Sequence, residues 1–226
     1  MSDLPVPETP DDIVTPLVAA ILRDAGPHAY TRLVISGTTS LAAHQALDDV
    51  RSEQLLSKPV RHKDDADAAL AGLWLWLDAF EESHTIAQDI VSTTGSFWHA
   101  ILHRREGDFS NAKYWYRRCD THHVNKLMGA IASSVAGDLA KDPAVAHAIH
   151  QGWNPIGFVD LVQAVQNKPS DPRHALAVRL QRAEWEALFD YCVRAAVEAD
   201  TNNLDAWDNR LIHPAGEGDS STRPET

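Results

Sequence analysis

Residues 96–123 read SFWHAILHRREGDFSNAKYWYRRCDTHH. At 100° per residue, Phe97, Trp98, Ile101 and Leu102 form one apolar arc, and His99, His103 and Glu106 fall on the arc beside it. Gly107 interrupts the pattern, and Asp108 or Ser110 can cap a second helix. The stretch is therefore a helical hairpin, which sets the fold class. Arg105 lands inside the apolar arc. A guanidinium there must snorkel to water or meet a carboxylate or a bound anion, because an unpaired buried charge is very costly.

Working outward, the same helical grammar recurs. Thr15 and Pro16 read as an N-cap with proline at the first helical position, and Gly26-Pro27 closes that helix. The segment SGTTS at 36–40 is a turn and cap before a second helix to about Leu56, which Lys58-Pro59 ends. Asp64 or Asp65 can cap a third, ADAALAGLWLWL, apolar nearly all round and therefore central. Asp78 and Glu81 have the spacing of an acidic capping box, opening a fourth helix with Phe80, Ser83, Ala87 and Ile90 inward and His84 at the edge of that face. The loop STTG at 92–95 leads to Ser96 as cap of the hairpin's first helix.

Beyond His123, a small-residue helix over about 125–139 precedes a polar, Ala-rich segment. Asn154-Pro155 starts another helix through Gln166, and Asp171-Pro172 opens the longest, to about Glu198. Thr31 to Ser36 is the only weak strand candidate. The expectation is an all-α single domain over 13–200, with about eight helices and antiparallel neighbours. Residues 1–12 and most of 201–226, rich in Pro, Gly and polar groups, are expected to be disordered.

Two hairpins overlay with an offset of 29 residues: Ala71, Phe80 and Ser83 recur as Ala100, Phe109 and Ala112. Small residues in both helices and an aromatic at the turn let paired helices approach closely, and the pair resembles the tetratricopeptide hairpin. That resemblance implies a helical scaffold for protein–protein interaction as one functional class.

The chain has 226 residues, 44% of them hydrophobic, and a formal net charge of −12. This length supports a sizeable core. The acidic balance argues against non-specific binding to nucleic acid or to an anionic membrane surface. The acidic, Pro-rich start lacks the basic and apolar regions of a secretory signal, and no run approaches membrane-spanning length, so a cytoplasmic protein is expected. Cys119 and Cys192 lie among apolar helical positions and read as buried free thiols.

The chemistry concentrates on Glu82, His84, His99, His103, Arg105, Glu106 and Arg118, expected to line one polar pocket for a small ligand. His99 and His103 stand one turn apart, as metal ligands on one helix do, and Glu106 adds an oxygen one turn later, so these three are the candidate set for a divalent metal. Glu81-x-x-His84 has the spacing seen in di-metal bundles, but a second such pair is missing. Alternatively, Arg104, Arg105, Arg118 and the histidines surround a small anion at the helix start after Gly95. On the purely structural reading, Arg105 and Arg118 pair with Glu82, Asp108, Asp160 or Glu184, and the histidines hydrogen-bond inside a polar core. Trp74, Trp76, Trp115 and Tyr116 are most simply core. No nucleophile elbow, phosphate loop, dinucleotide fingerprint or His-Glu-x-x-His motif is present, and the sequence names no reaction.

Thr94-Gly95-Ser96-Phe97-Trp98-His99, followed by His103-Arg104-Arg105-Glu106, Asp108, Asn111 and Lys113-Tyr114-Trp115, resembles a family of uncharacterised bacterial and fungal helical proteins. The resemblance covers about Leu75 to Arg118, with a fainter echo in Phe158-Val159-Asp160 and from Glu184-Trp185 to Tyr191-Cys192. It implies a helical fold and no established activity. Where those proteins continue into a Gly and a His-Pro pair, this chain has Cys119-Asp120-Thr121-His122-His123-Val124.

Overall fold

The computed structural model describes residues 9, 10, 12–26, 28–35 and 45–199. Among these, α1 (Pro16–Asp24) is followed by a 3-10 turn (Ser52–Leu55) and then by α2 (Lys63–Trp76), α3 (Phe80–Asp89), α4 (Thr93–Glu106) and α5 (Phe109–Tyr116). Next come α6 (His123–Val135), a second 3-10 turn (Gly137–Lys141), α7 (Pro143–Ile149), α8 (Pro155–Val165) and α9 (Pro172–Ala196). The fold is all-α. Among the described residues the only extended pairing is an isolated antiparallel bridge between Val14 and Leu56. Residues 31–35 carry no strand, and Ser36 lies outside the described residues.

Four helices begin with proline in the first turn, after Thr15, Asp142, Asn154 and Asp171. Proline loses nothing there, because the first N–H groups have no helical acceptor and the required φ is preset. Asp142, Asn154 and Asp171 also accept a backbone N–H from the first turn through their side chains. Asp108 does the same for α5, accepting from the Asn111 N–H at 3.1 Å. Gly107 ends α4 at φ +85°, a conformation that Cβ-bearing residues rarely adopt.

Several expected boundaries move, each for a local reason. α4 starts at Thr93, one turn before the expected cap Ser96; Ser92 caps it by accepting from the Gly95 N–H. Asp78 is not a cap. It sits at φ +63° outside α3, and its carboxylate is spent on Arg32 and Arg105. The second expected helix does not reach Leu56: residues 45–47 are helical, but 55–57 pair with 13–15 through Thr15 N–H to Leu55 O and Ser57 N–H to Ile13 O. The Ala-rich segment after residue 139 contains α7, started by the same Asp-Pro signal that opens α9. The expected disordered ends fall largely outside the described residues; within them, Pro10 accepts from Ile13 and Val14, and Asp12 pairs with Lys58 at 2.9 Å.

The core is one continuous apolar cluster drawing on every α-helix. α2 is buried from Ala68 to Trp76 and packs on α3, α4 and α9, as its nearly all-apolar sequence anticipated. The small residues of the overlaid hairpins, Ala71, Ser83, Ala100 and Ala112, are all buried. Gly72 lets the Trp98 indole of α4 lie directly against α2: a Cβ there would stand 2.6 Å from Cζ2 of Trp98, and the Gly72 carbonyl accepts from Nε1 of Trp185 at 2.8 Å. α9 crosses α2, α6 and α8 and closes the body over these contacts.

Candidate functional site

α4 carries its polar residues in two directions. Arg104 and Arg105 turn inward and are fully buried. Nη1 of Arg104 donates to Oε2 of Glu184 at 2.5 Å and to the hydroxyl of Tyr116, which itself donates to Oε1 of Glu184 at 2.9 Å. Burial pushes the Glu184 carboxyl up, against the pull of Arg104 and of the Tyr116 hydrogen bond. The remaining Arg104 nitrogens have no protein acceptor among the described residues; the guanidinium lies 4.6 Å from the centre of the Phe158 ring, whose electron-rich face favours a cation. Arg105 lies 3.8 Å from the centre of the Tyr30 ring and donates to Leu75 O at 2.9 Å and to Asp78 Oδ1 at 2.8 Å.

These contacts correct the expected pairings. Arg105 bonds Asp78, not Glu82, Asp108, Asp160 or Glu184; Glu184 belongs to Arg104, and Asp160 to Lys113 at 2.5 Å. Arg105 therefore does not join the histidines. Arg118 is exposed, with its guanidinium 5.4 Å from the Trp115 ring and 5.8 Å from the Tyr114 ring. Glu82 is half-buried on α3, two residues from His84; positions two apart on a helix do not face the same way.

The histidines do converge. The ring of His84, from α3, meets those of His99 and His103 edge-on, at 4.9 Å and 5.8 Å between centres, and His99 and His103 are 5.9 Å apart. His99 stacks on Trp115 of α5 at 4.3 Å, with 15° between planes. Its Nδ1 is 3.3 Å from the Gly95 carbonyl, so the neutral ring carries its proton on Nδ1 and leaves Nε2 bare. Burial, then His84 and His103, lowers the His99 pKa to about 4. His103 has both nitrogens engaged: Nδ1 lies 2.9 Å from Oε2 of Glu106, and Nε2 lies 3.1 Å from Nδ2 of Asn111. No hydrogen bond engages His84 among the described residues.

The outcome is an imidazole corner at the meeting of α3, α4 and α5, made of His84, His99 and His103, with Glu106, Asn111 and Trp115 around it. Among the described residues, no three His, Cys, Asp or Glu side chains are grouped to hold a metal ion, so His99, His103 and Glu106 do not form a ready three-ligand set. Asn111 and Trp115 were missing from the expected site, yet a signal existed. Trp115 lies as far after Gly107 as His99 lies before it, and Asn111 mirrors His103 in the same way. In a tight antiparallel hairpin such mirror positions face each other.

Two other features lie elsewhere. His122, also buried, accepts from the Val124 N–H through Nδ1 and stands with Nε2 3.3 Å from the Thr94 hydroxyl. Burial, then His123, lowers its pKa to about 4. A largely apolar cleft of about 390 Å³ lies between α1 and the end of α2, lined by Ile21 and Trp76 among others and including none of the imidazoles. Both cysteines are buried and free, as expected. No described helix is long and apolar enough to cross a membrane. No family model, curated protein or solved structure matches the chain.

Proposed function

We propose that this protein binds a small ligand at the imidazole corner, and that the ligand is a divalent transition-metal ion with His84 and His99 as its first protein contacts. The supporting observation is the state of the nitrogens. His99 offers Nε2 while a backbone carbonyl holds its Nδ1, the outer-shell arrangement that orients metal-binding histidines. Among the described residues no hydrogen bond competes for His84, and the Glu106 carboxylate adds negative charge beside the corner. A small anion, the other ligand class expected from the sequence, fits less well. Its strongest cations, Arg104 and Arg105, are already paired with Glu184 and Asp78, and His99 is held neutral. The competing class, a tetratricopeptide-like interaction scaffold, rests on the two overlaid hairpins and leaves the unspent imidazole nitrogens without a role.

The test is a thermal-shift and calorimetric titration with Zn²⁺, Co²⁺ and Ni²⁺, run beside phosphate, acetate and citrate. Wild type is expected to respond to the cations. His84→Ala should abolish that response, and His150→Ala, at an exposed position, should keep it. A response to the anions alone would replace the metal reading with the anion one. Silence towards both classes would leave the corner as structure.

A further inference from the structure

We infer that His122 is an acid-sensitive latch: its neutral ring caps α6 and ties that helix to the start of α4, and a proton added to the ring frees the first turn of α6 while the rest of the core stays folded. Nothing in this depends on a ligand at the imidazole corner.

The geometry assigns His122 one neutral form. Its Nδ1 accepts the Val124 N–H at 3.3 Å, so that nitrogen carries no proton. The ring proton is then on Nε2, which donates to the Thr94 hydroxyl at 3.3 Å. This is the reverse of His99, whose proton sits on Nδ1. One imidazole thus supplies the side-chain acceptor at the start of α6 and a bridge to the first turn of α4. A second proton can enter only at Nδ1, where it meets the Val124 N–H head on. The cap is then lost, and a positive charge stands at the end of the helix that repels cations.

The surroundings do nothing to offset that charge. His122 is 5% exposed, and its ring lies edge-on to Phe97 of α4 at 5.3 Å and to Tyr191 of α9 at 4.5 Å. The titratable neighbours are His123 on α6, Tyr191 on α9 and Cys119 in the preceding turn; Asp65 of α2 acts on Tyr191 and Asp120 on Cys119. The pKa of about 4 follows from burial and then from His123, with no carboxylate opposing them. A ring released to water returns to the ordinary 6.5. The closed latch is therefore fully favoured above pH 6.5, and its advantage is lost as pH falls towards 4. The release is local. The His122 N–H bonds Cys119 O and the Asn125 N–H bonds His122 O, so the stretch at stake is the junction of α5 with α6, and its departure uncovers Phe97 and Tyr191.

The experiment uses the full chain, His122→Asn and His99→Gln. At pH 7.5, ring ¹⁵N shifts of wild type should show His122 as the Nε2–H form. Between pH 7.5 and 4.5 the Val124 and Asn125 amides should lose protection from hydrogen exchange about 50- to 100-fold, the shift expected for one ring moving between about 4 and 6.5. At both pH values these amides should exchange faster than Leu73 in the buried part of α2. His99→Gln should keep the acid loss, and His122→Asn, which offers a capping oxygen and does not titrate, should remove it. A wild-type His122 protonated on Nδ1, or the same protection at Val124 as at Leu73 at both pH values, overturns the latch without recourse to any variant. An acid loss that is absent in wild type or persists in His122→Asn overturns it as well.

Discussion

Two pairs of basic residues sit within seven positions of α4 and meet opposite fates. Arg104 and Arg105 go into the core, where one is matched by Glu184 and Tyr116 and the other by Asp78 and a backbone carbonyl. His99 and His103 go to the edge, where their rings gather with His84. The difference follows from protonation. A guanidinium is charged at any ordinary pH, so its burial requires a fixed counter-charge. An imidazole can be desolvated by becoming neutral, which leaves a lone pair available for other chemistry. Adjacent residues of similar nominal charge thus divide into a structural pair and a candidate functional pair.

The comparison breaks most visibly at Glu184. Glu184→Ala would leave Arg104 buried without a counter-charge and should destabilise the fold by about 3–5 kcal/mol in denaturant unfolding, with Arg104→Met/Glu184→Met recovering much of the loss. A single variant as stable as wild type would mean that the inner pair contributes nothing.

Acid should expose the other half of the comparison. His99 and His122 have folded pKa values of about 4, below the ordinary 6.5, so each contributes stability that is fully present above pH 6.5 and lost as pH falls from 6.5 towards 4. The loss is on the order of 3 kcal/mol for each ring. Denaturant midpoints at pH 7.5 and 4.5 would measure it, and His99→Gln/His122→Gln should flatten the dependence. An equally steep loss in that double variant would assign it to carboxylates instead.

Asp78→Asn keeps a side chain that tolerates φ +63° but removes the charge facing Arg105. Because Arg105 retains Leu75 O and the Tyr30 ring, the cost should be about 1–2 kcal/mol, smaller than at Glu184. A larger loss than for Glu184→Ala would reverse the ranking of the two arginines.

The smallest stability effect is expected at the edge. His84→Ala should change unfolding free energy by less than about 1 kcal/mol, since the half-buried ring has no hydrogen bond to lose among the described residues. A loss of several kcal/mol would show that His84 is structural and undercut the ligand site.

Much of this was legible before any coordinates. Thr15-Pro16, Asn154-Pro155 and Asp171-Pro172 mark their helix starts by a local rule, and Asp142-Pro143 carries the same signal for α7 inside the Ala-rich segment. The meeting of His84 with His99 and His103 followed from helical arcs and a short connection. The partner of Arg105 did not, because Asp78 reaches it from a left-handed turn position that looks in sequence like a helix cap. Nor did the fate of Arg104, whose carboxylate lies 80 residues away on α9, where only tertiary packing brings it near.

The contact of Gly72 on α2 with Trp98 on α4 matters for the geometry of the corner as much as for the core. At Gly72 the indole of Trp98 rests where any other residue would carry its Cβ, so that contact works as a mechanical stop between the two helices. α3, which supplies His84, packs on both of them. Gly72→Ala would therefore act as a shim, wedging α4 away from α2 and changing the offset between His84 and His99. The tolerance on the imidazole spacing is set by a glycine on a helix that contributes no imidazole.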